Sequence, residues 1–275
     1  MDIKAILLDF DGTSLQRDQT FISFRNMAAL RKAMARGIEI IPCTGRSEDM
    51  FPPQIAAEKK IHYWVSSGGA RVSDRNTKEV IYQSLFTPEE AARLCRIFEN
   101  QSIYSEIAAN GRIYMEKEVC RHLEDFAVPP HHVWFLELGR QIEVDTPSEY
   151  FLKHGIGVEK FNIYGVPPNK QQKILAELEA TGIVRITEGA GNDIQFFPEK
   201  LRREESMKAL FQVMGIDFGQ VMSIGDAAMD EPVIRAAAIG VAVGNAPEWI
   251  KEKADYVAGA YYEDGVAEAI EKYLL

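Results

Sequence analysis

The feature that most constrains this chain is the junction at residues 3–13. An apolar run, Ile3 to Leu8 broken only by Lys4, stops at Asp9-Phe10-Asp11-Gly12-Thr13. Such a run reads as a short buried strand ending in an acidic turn. Side chains alternate along an extended chain, so Asp9 and Asp11 point one way while Phe10 packs behind them. The pattern recurs: IEIIPC (38–43) runs into Thr44-Gly45-Arg46-Ser47, and QVMSIGD (220–226) ends on Asp226. Between the first two runs, Phe24, Met27, Leu30, Ala33 and Met34 have helical spacing, with Gly37 as the stop. Residues 47–60 read as a helix broken at Pro52-Pro53, YWVSS (63–67) as a third strand, and residues 70–82 as a hairpin. This alternation predicts an α/β fold with a parallel sheet and helices on both faces.

The character changes near residue 84. Thr87-Pro88-Glu89-Glu90 predicts a helix start with a capping box. Residues 103–115 alternate across Asn110-Gly111, the strongest short hairpin signal in the chain. The segments 131–144, 160–165 and 182–187 read as strands, with a helix at 168–180 between the last two. This middle third predicts an α+β unit of about 100 residues. Afterwards the first alternation returns: a helix at 203–214, strands at 220–226 and 240–245, and helices at 247–253 and 263–274. The expected organisation is one α/β core from residues 1–84 and 190–275, with an inserted α+β domain over 85–189, joined through linkers near 83–86 and 188–192.

At 275 residues the chain suits one large core or two ordinary domains. Its net charge of −10 speaks against a general nucleic-acid or anionic-membrane binder. The same acidity repels anionic substrates, so a phosphate site needs strong local positive charge. Cys43, Cys95 and Cys120 form no C-x-x-C pair, which suits a reducing compartment. The N-terminal apolar run is too short for a signal peptide or membrane span, so a cytoplasmic enzyme is expected, as a monomer or small homo-oligomer.

Ligands of open α/β sheets bind at the carboxyl ends of strands. Two carboxylates there can divide the work: one attacks phosphorus, the other passes a proton to the leaving oxygen and then activates water. Gly12 lets the backbone N–H turn toward a phosphate. A plain D-x-D-G turn with solvated acids is the bland alternative. Two anions do not attack an anionic phosphate unaided, and hard carboxylate oxygens suit Mg²⁺. Asp226 is expected to join Asp9 and the backbone carbonyl of Asp11 around that ion; its alternative role is a helix cap. Thr44, with the N–H groups of Gly45 and its neighbours, suits a neutral phosphate clamp, or again a helix cap. Asn245 follows a strand and either reaches the site or caps a helix. His131-His132 reads as surface; Tyr114, Trp134 and Tyr164 either line the inner face of the inserted domain or, as aromatics at strand spacing usually do, pack in its core.

Taken together, these segments resemble the haloacid dehalogenase superfamily, most strongly its Cof-like phosphatases, which carry a type IIB α/β cap between two halves of a Rossmann-like core. LLDFDGT fits the family's first motif, the Thr44 segment its second, SIGDAAMD its fourth, and VAVGNAPEWIKEKADYV with EDGVAEAI its ending. The resemblance implies that Asp9 is the nucleophile, Asp11 the acid/base, Thr44 a phosphate clamp and Asp226 a magnesium ligand. It also implies a cap that closes over the site and selects small phosphorylated metabolites of sugar-phosphate type.

Three positions depart from the family pattern. Arg203 stands where a lysine is usual, with Lys200 and Lys208 as alternatives; arginine keeps the charge but adds a planar fork. Arg203 is expected on the phosphoryl group, paired with Asp230. Met229 replaces an asparagine in the fourth motif, and Gly68 another before Gly69-Ala70. These changes favour a weakened, regulatory or phosphate-binding relative as the second reading; a phosphotransferase or mutase on the same machinery is a near variant. A phospho-receiver domain also pairs acids with a threonine and a base, but the inserted domain and the DFDGT order oppose it.

Overall fold

A computed structural model describes residues 2–126, 128–188 and 192–275 of the chain. In chain order the elements begin with β1 (Ala5–Leu8), α1 (Phe24–Ala35), β2 (Glu39–Pro42), α2 (Pro53–Ala57), β3 (Tyr63–Ser66), β4 (Arg71–Asp74) and β5 (Val80–Gln83). There follow α3 (Pro88–Phe98), β6 (Tyr104–Ala109), β7 (Arg112–Glu116), α4 (Lys117–Arg121), α5 (Pro130–Glu137) and β8 (Ile142–Val144). Next come α6 (Pro147–His154), β9 (Lys160–Tyr164), α7 (Pro168–Glu179), β10 (Val184–Glu188) and β11 (Ile194–Pro198). The chain ends with α8 (Arg203–Met214), β12 (Val221–Gly225), α9 (Glu231–Ala236), β13 (Ile239–Ala242), α10 (Glu248–Lys251), β14 (Tyr256–Val257) and α11 (Gly265–Leu274). Two compact units emerge: Met1–Arg46 with Phe51–Tyr82 and Arg202–Leu275, and Ser47–Met50 with Gln83–Leu201. The return boundary expected at 189/190 lies outside the described residues.

The first unit is built on a parallel sheet of order β14-β13-β12-β1-β2. All four residues of β1 are buried. Ile6 and Leu8 pack with Met27 and Leu30 of α1 and Ile270 of α11. Ala5 and Leu7 pack on the other side with Met207 and Leu210 of α8 and Val233 of α9. Covering both faces removes any place for a polar alternate, which is why the strand reads as an unbroken apolar run. Each leucine so buried stabilises the fold by about 1.5–3 kcal/mol.

Register then sets the site. Leu8 lies beside both Ile224 of β12 and Pro42 of β2. Asp9, Cys43-Thr44 and Gly225-Asp226 therefore leave three adjacent strands at nearly one level.

Two expectations change in this unit. Phe24, at the first residue of α1, is 89% exposed, and the buried face starts at Asn26 and Met27. Asn26 earns its burial by accepting, through Oδ1, the Ala267 N–H at the start of α11 (2.9 Å). The 63–67 strand does not extend the parallel sheet. It touches β2 through one parallel bridge, Cys43–Val65, and runs antiparallel to β4 in a separate sheet β3-β4-β5. Residues 47–60 form a 3₁₀ turn, Glu48–Met50, and the short α2, split by the prolines as expected.

The second unit carries a six-stranded sheet of order β10-β11-β9-β6-β7-β8. The β6–β7 hairpin turns at Asn110 (φ 53°) and Gly111 (φ 71°), the positive pair that a tight primed turn requires. The Thr87–Glu90 capping box is formed at the start of α3. One sheet face packs against α3, α6 and α7, the other against α4 and α5. Tyr114 and Tyr164 are core residues on the two faces, and Trp134 packs against the cluster that holds Tyr164.

Residues 131–144 are not one strand: α5 covers Pro130–Glu137 and only Ile142–Val144 is extended. A short apolar run is ambiguous between buried helix and strand, and Pro130 at the first helical position decides it. His132 is also not a surface residue. It is 4% exposed, with Nδ1 at 2.5 Å from Oε1 of the fully buried Glu106. The side chain of His131 lies outside the described residues.

Candidate active site

Four strand ends of the parallel sheet converge on Asp9. Its backbone is fixed at both sides: the Asp9 N–H donates to the Ile224 carbonyl (3.2 Å), and Ser14 Oγ donates to the Asp9 carbonyl (2.7 Å). The carboxylate is left facing the site at 8% exposure. One oxygen each of Asp9, Asp226 and Asp230 lies within 4.8 Å of the others. Burial pushes the Asp9 carboxyl well above the ordinary carboxylate range. The charges of Asp230, Asp226 and Asp11 push it further, and Arg203 pulls it back. Asp226 rises to about 6, chiefly by burial, with Asp230 and Asp11 adding to the rise and the Thr13 hydrogen bond opposing it.

Gly12 allows this crowding. It has φ +77°, and a Cβ there would stand 2.5 Å from Asp226 Oδ2. Asp226 is oriented by Thr13 Oγ1, which donates to Oδ1 (2.7 Å), and by Asn245 Nδ2, which donates to Oδ2 (3.3 Å). Asn245 Nδ2 also donates to the Gly12 carbonyl (2.8 Å), and its Oδ1 accepts the Tyr261 N–H (3.1 Å). Neither Asp226 nor Asn245 caps a helix: α9 begins after Asp230 and α10 after Pro247.

Asp230 is differently engaged. Its Oδ2 accepts the N–H groups of Asp226 (3.2 Å) and Ala227 (3.0 Å), and its Oδ1 pairs with Arg203 Nη1 (3.1 Å). One Asp230 oxygen takes two N–H groups of the Asp226 loop and the other is paired with a cation, whereas each Asp226 oxygen accepts a single hydrogen bond from a neutral side chain. These hard, crowded donors fit a small divalent cation, which relieves a repulsion that otherwise forces protonation.

Arg203 reaches this cluster; Lys200 is exposed and Lys208 pairs with Glu205 at the surface. Its Nη2 donates to the Cys43 carbonyl (2.8 Å) and lies 3.0 Å from Cys43 Sγ. Burial opposes its charge, but Cys43, Asp230 and Asp9 hold its pKa above the ordinary arginine value. Burial likewise raises the Cys43 thiol. Arg203 Nε is buried with no hydrogen-bond partner. A buried orphan donor beside a cluster of carboxylates suits an incoming oxyanion. Gly69 gives the arginine room, since a Cβ there would approach Arg203 Cγ to 3.1 Å.

Thr44 is buried, and its Oγ1 accepts the Arg46 N–H (3.3 Å). Among the described residues the N–H groups of Gly12 and Gly45 have no hydrogen-bond partner, as an anion cradle requires. The Asp11 carboxylate stands outside the three-carboxylate cluster and is gripped by Arg46 instead. Nε donates to Oδ2 (2.8 Å) and Nη2 to Oδ1 (2.5 Å). The sequence reading missed Thr13, Cys43 and the Gln19 carbonyl, which accepts from Arg46 Nη2 (2.7 Å). Only Thr13 had a signal, its place in the DFDGT turn; a backbone carbonyl has none.

A family model described as haloacid dehalogenase-like hydrolase matches residues 6–270. A 5-amino-6-(5-phospho-D-ribitylamino)uracil phosphatase of Bacillus subtilis is 28% identical over 277 residues, covering 100% of this chain and 97% of its own. A phosphatase of the same name from Escherichia coli is 27% identical, with the same coverage. Among solved structures, a haloacid dehalogenase-like hydrolase from Bacteroides thetaiotaomicron superposes with a TM-score of 0.82 at 25% identity, covering 98% of this chain and 99% of its own. A subclass IIB sugar phosphatase superposes with a TM-score of 0.76 at 23% identity over 98% of each chain, which speaks for the fold.

Proposed function

This chain belongs to the haloacid dehalogenase-like hydrolases as a phosphatase, and we propose that it is Mg²⁺-dependent and hydrolyses small phosphorylated metabolites through a phosphorylated Asp9. The observation that carries this proposal is the convergence of Asp9, Asp226 and Asp230 within 4.8 Å beside the buried Arg203. Asp9, Asp226 and the Asp11 carbonyl are the groups proposed to hold the cation. When bound, the ion supplies positive charge against the phosphoryl oxygens. Arg203 Nε, Thr44 Oγ1 and the Gly12 and Gly45 amides are proposed to bind those oxygens. They supply the local positive field that a chain of net charge −10 otherwise lacks.

In the first step an Asp9 oxygen attacks phosphorus, and the bond to the leaving oxygen breaks. Asp11 gives its proton to that oxygen, releasing an alcohol. In the second step Asp11 takes a proton from water, which attacks the phosphorylated Asp9 and releases inorganic phosphate. Asp230 holds the Asp226 loop and Arg203 in place.

The substrate class is proposed to be phosphorylated sugars or polyols. Support comes from the two full-length relatives named for a phosphoribityl pyrimidine and from the fold shared with a sugar phosphatase. The intracellular setting suggested by the sequence is part of the same proposal; no helix among the described residues is long and apolar enough to cross a membrane. The test is a phosphatase screen over sugar phosphates, polyol phosphates and 5-amino-6-(5-phospho-D-ribitylamino)uracil, with and without Mg²⁺, on wild type and Asp9→Asn. Hydrolysis that needs Mg²⁺ and vanishes in the variant is expected. Full turnover in Asp9→Asn would sink the covalent mechanism.

A further inference from the structure

We propose that Arg46 is the positioning residue for proton transfer by Asp11, an inference that rests on the reading of Asp11 as the acid/base. Among the described contacts, Arg46 is the side chain that engages both oxygens of the Asp11 carboxylate. Its own side chain is 5% exposed, against 37% for Asp11, so a rigid buried fork aims a partly open carboxylate.

The grip is anchored at each end. The Arg46 N–H donates to Thr44 Oγ1, and its carbonyl accepts the Ser67 N–H (2.8 Å). Nη2 also donates to the Gln19 carbonyl, whose residue sits at φ 54°, an uncommon conformation for a side chain other than glycine. One guanidinium thus ties the phosphate-clamp loop, the Asp11 turn and the loop at residue 19 together. Two parallel donors also fix the plane of the carboxylate, as a single ammonium cannot.

The chemistry needs that plane fixed. A carboxyl that gives its proton to a leaving oxygen and later takes one from water must meet two different oxygens at one place. With Arg46 donating to both Asp11 oxygens, the carboxylate keeps one plane while the proton travels. Protonated Asp11 keeps a lone pair on each oxygen, so the fork survives both steps. Arg46 itself neither gains nor loses a proton.

Leaving-group dependence tests this. p-Nitrophenol departs as a stable anion and needs little help from an acid, whereas a sugar alkoxide needs a proton. Both substrates are assayed on the full chain with saturating Mg²⁺. Arg46→Gln is expected to lower kcat/KM for glucose 6-phosphate on the order of 100-fold and for p-nitrophenyl phosphate less than roughly threefold. Arg46→Lys, which keeps the charge without the fork, is expected to show the same selective loss. Adding Arg46→Gln to Asp11→Asn is expected to change neither substrate further. Parallel losses on both substrates, or a further loss in the Asp11→Asn background, would overturn the proposal. An Arg46→Gln enzyme with wild-type activity on both would do the same. Failure of the underlying phosphatase reading looks different: wild type then hydrolyses neither substrate, or Asp9→Asn stays active.

Discussion

Replacing Asp226 with asparagine should stabilise the metal-free protein while destroying its activity. Asp226 shares a buried pocket of charge with Asp9 and Asp230, with oxygens within 4.8 Å. Two unit charges at that distance repel by about 3.5 kcal/mol at an effective dielectric near 20. A second route gives the same scale. The Asp226 carboxyl is pushed from 3.8 to about 6, which at 1.36 kcal/mol per pH unit is about 3 kcal/mol against the ionised form. The open side of the carboxylate and the lost Asn245 contact reduce this, leaving about 1–3 kcal/mol in favour of the variant. The sign follows from linkage. A folded-state pKa above the unfolded one contributes stability that is full below the unfolded value and lost as pH rises through the folded value. Wild type should therefore lose stability relative to Asp226→Asn as pH rises from about 4 through about 6. Urea denaturation of both proteins in EDTA across this range reads the difference directly. Added Mg²⁺ should restore wild type strongly and leave the variant nearly unchanged. A variant less stable than wild type in EDTA near neutral pH, or a difference that ignores pH, would refute the crowded-carboxylate account.

Arg203→Lys restores the residue usual in Cof-like relatives, yet it should lower kcat/KM on the order of tenfold or more. An ammonium presents its three donors from one nitrogen and cannot span the separate positions where Nη2 meets the Cys43 carbonyl, Nη1 meets Asp230 and Nε stays open; steady-state kinetics on a sugar phosphate checks this. Phe10 is fully buried between the two acids and packs edge-on to Phe51, with ring centroids 5.1 Å apart. Phe10→Ala should cost about 3–5 kcal/mol in urea denaturation with Mg²⁺ present.

Much of this architecture was legible because burial on both faces of β1 and β12 leaves an unmistakable apolar run, and polar residues can gather only where the run stops. That logic placed Asp9, Thr44 and Asp226 at strand ends, and the β-register sets those ends on adjacent strands. The hairpin at Asn110-Gly111 and the capping box at Thr87 were readable because each depends on a few adjacent residues. Contacts that need tertiary structure were not. β11 is flanked by polar residues, and β14 is two residues long. The burial of His132 depends on Glu106, 26 positions away. Arg46 stands directly after the Thr44-Gly45 pair, but nothing in Thr44-Gly45-Arg46 shows that its fork closes on Asp11. Asn245 was expected either to reach the site or to cap a helix, and the fold turns its amide to Asp226 and the Gly12 carbonyl.

The most direct measurement is the position of the phosphoryl group in an acid-quenched single turnover. Asp11→Asn, which retains the nucleophile but lacks the base for hydrolysis, is mixed with p-nitrophenyl phosphate, whose leaving group needs little help from an acid, and Mg²⁺, digested at low pH and mapped by mass spectrometry. Covalent catalysis by Asp9 predicts a hydroxylamine-labile phosphoryl group on the peptide that contains Asp9, absent when Asp9→Asn is added. Substrate turnover with no phosphorylated peptide, or a phosphoryl group on any other residue, would contradict it.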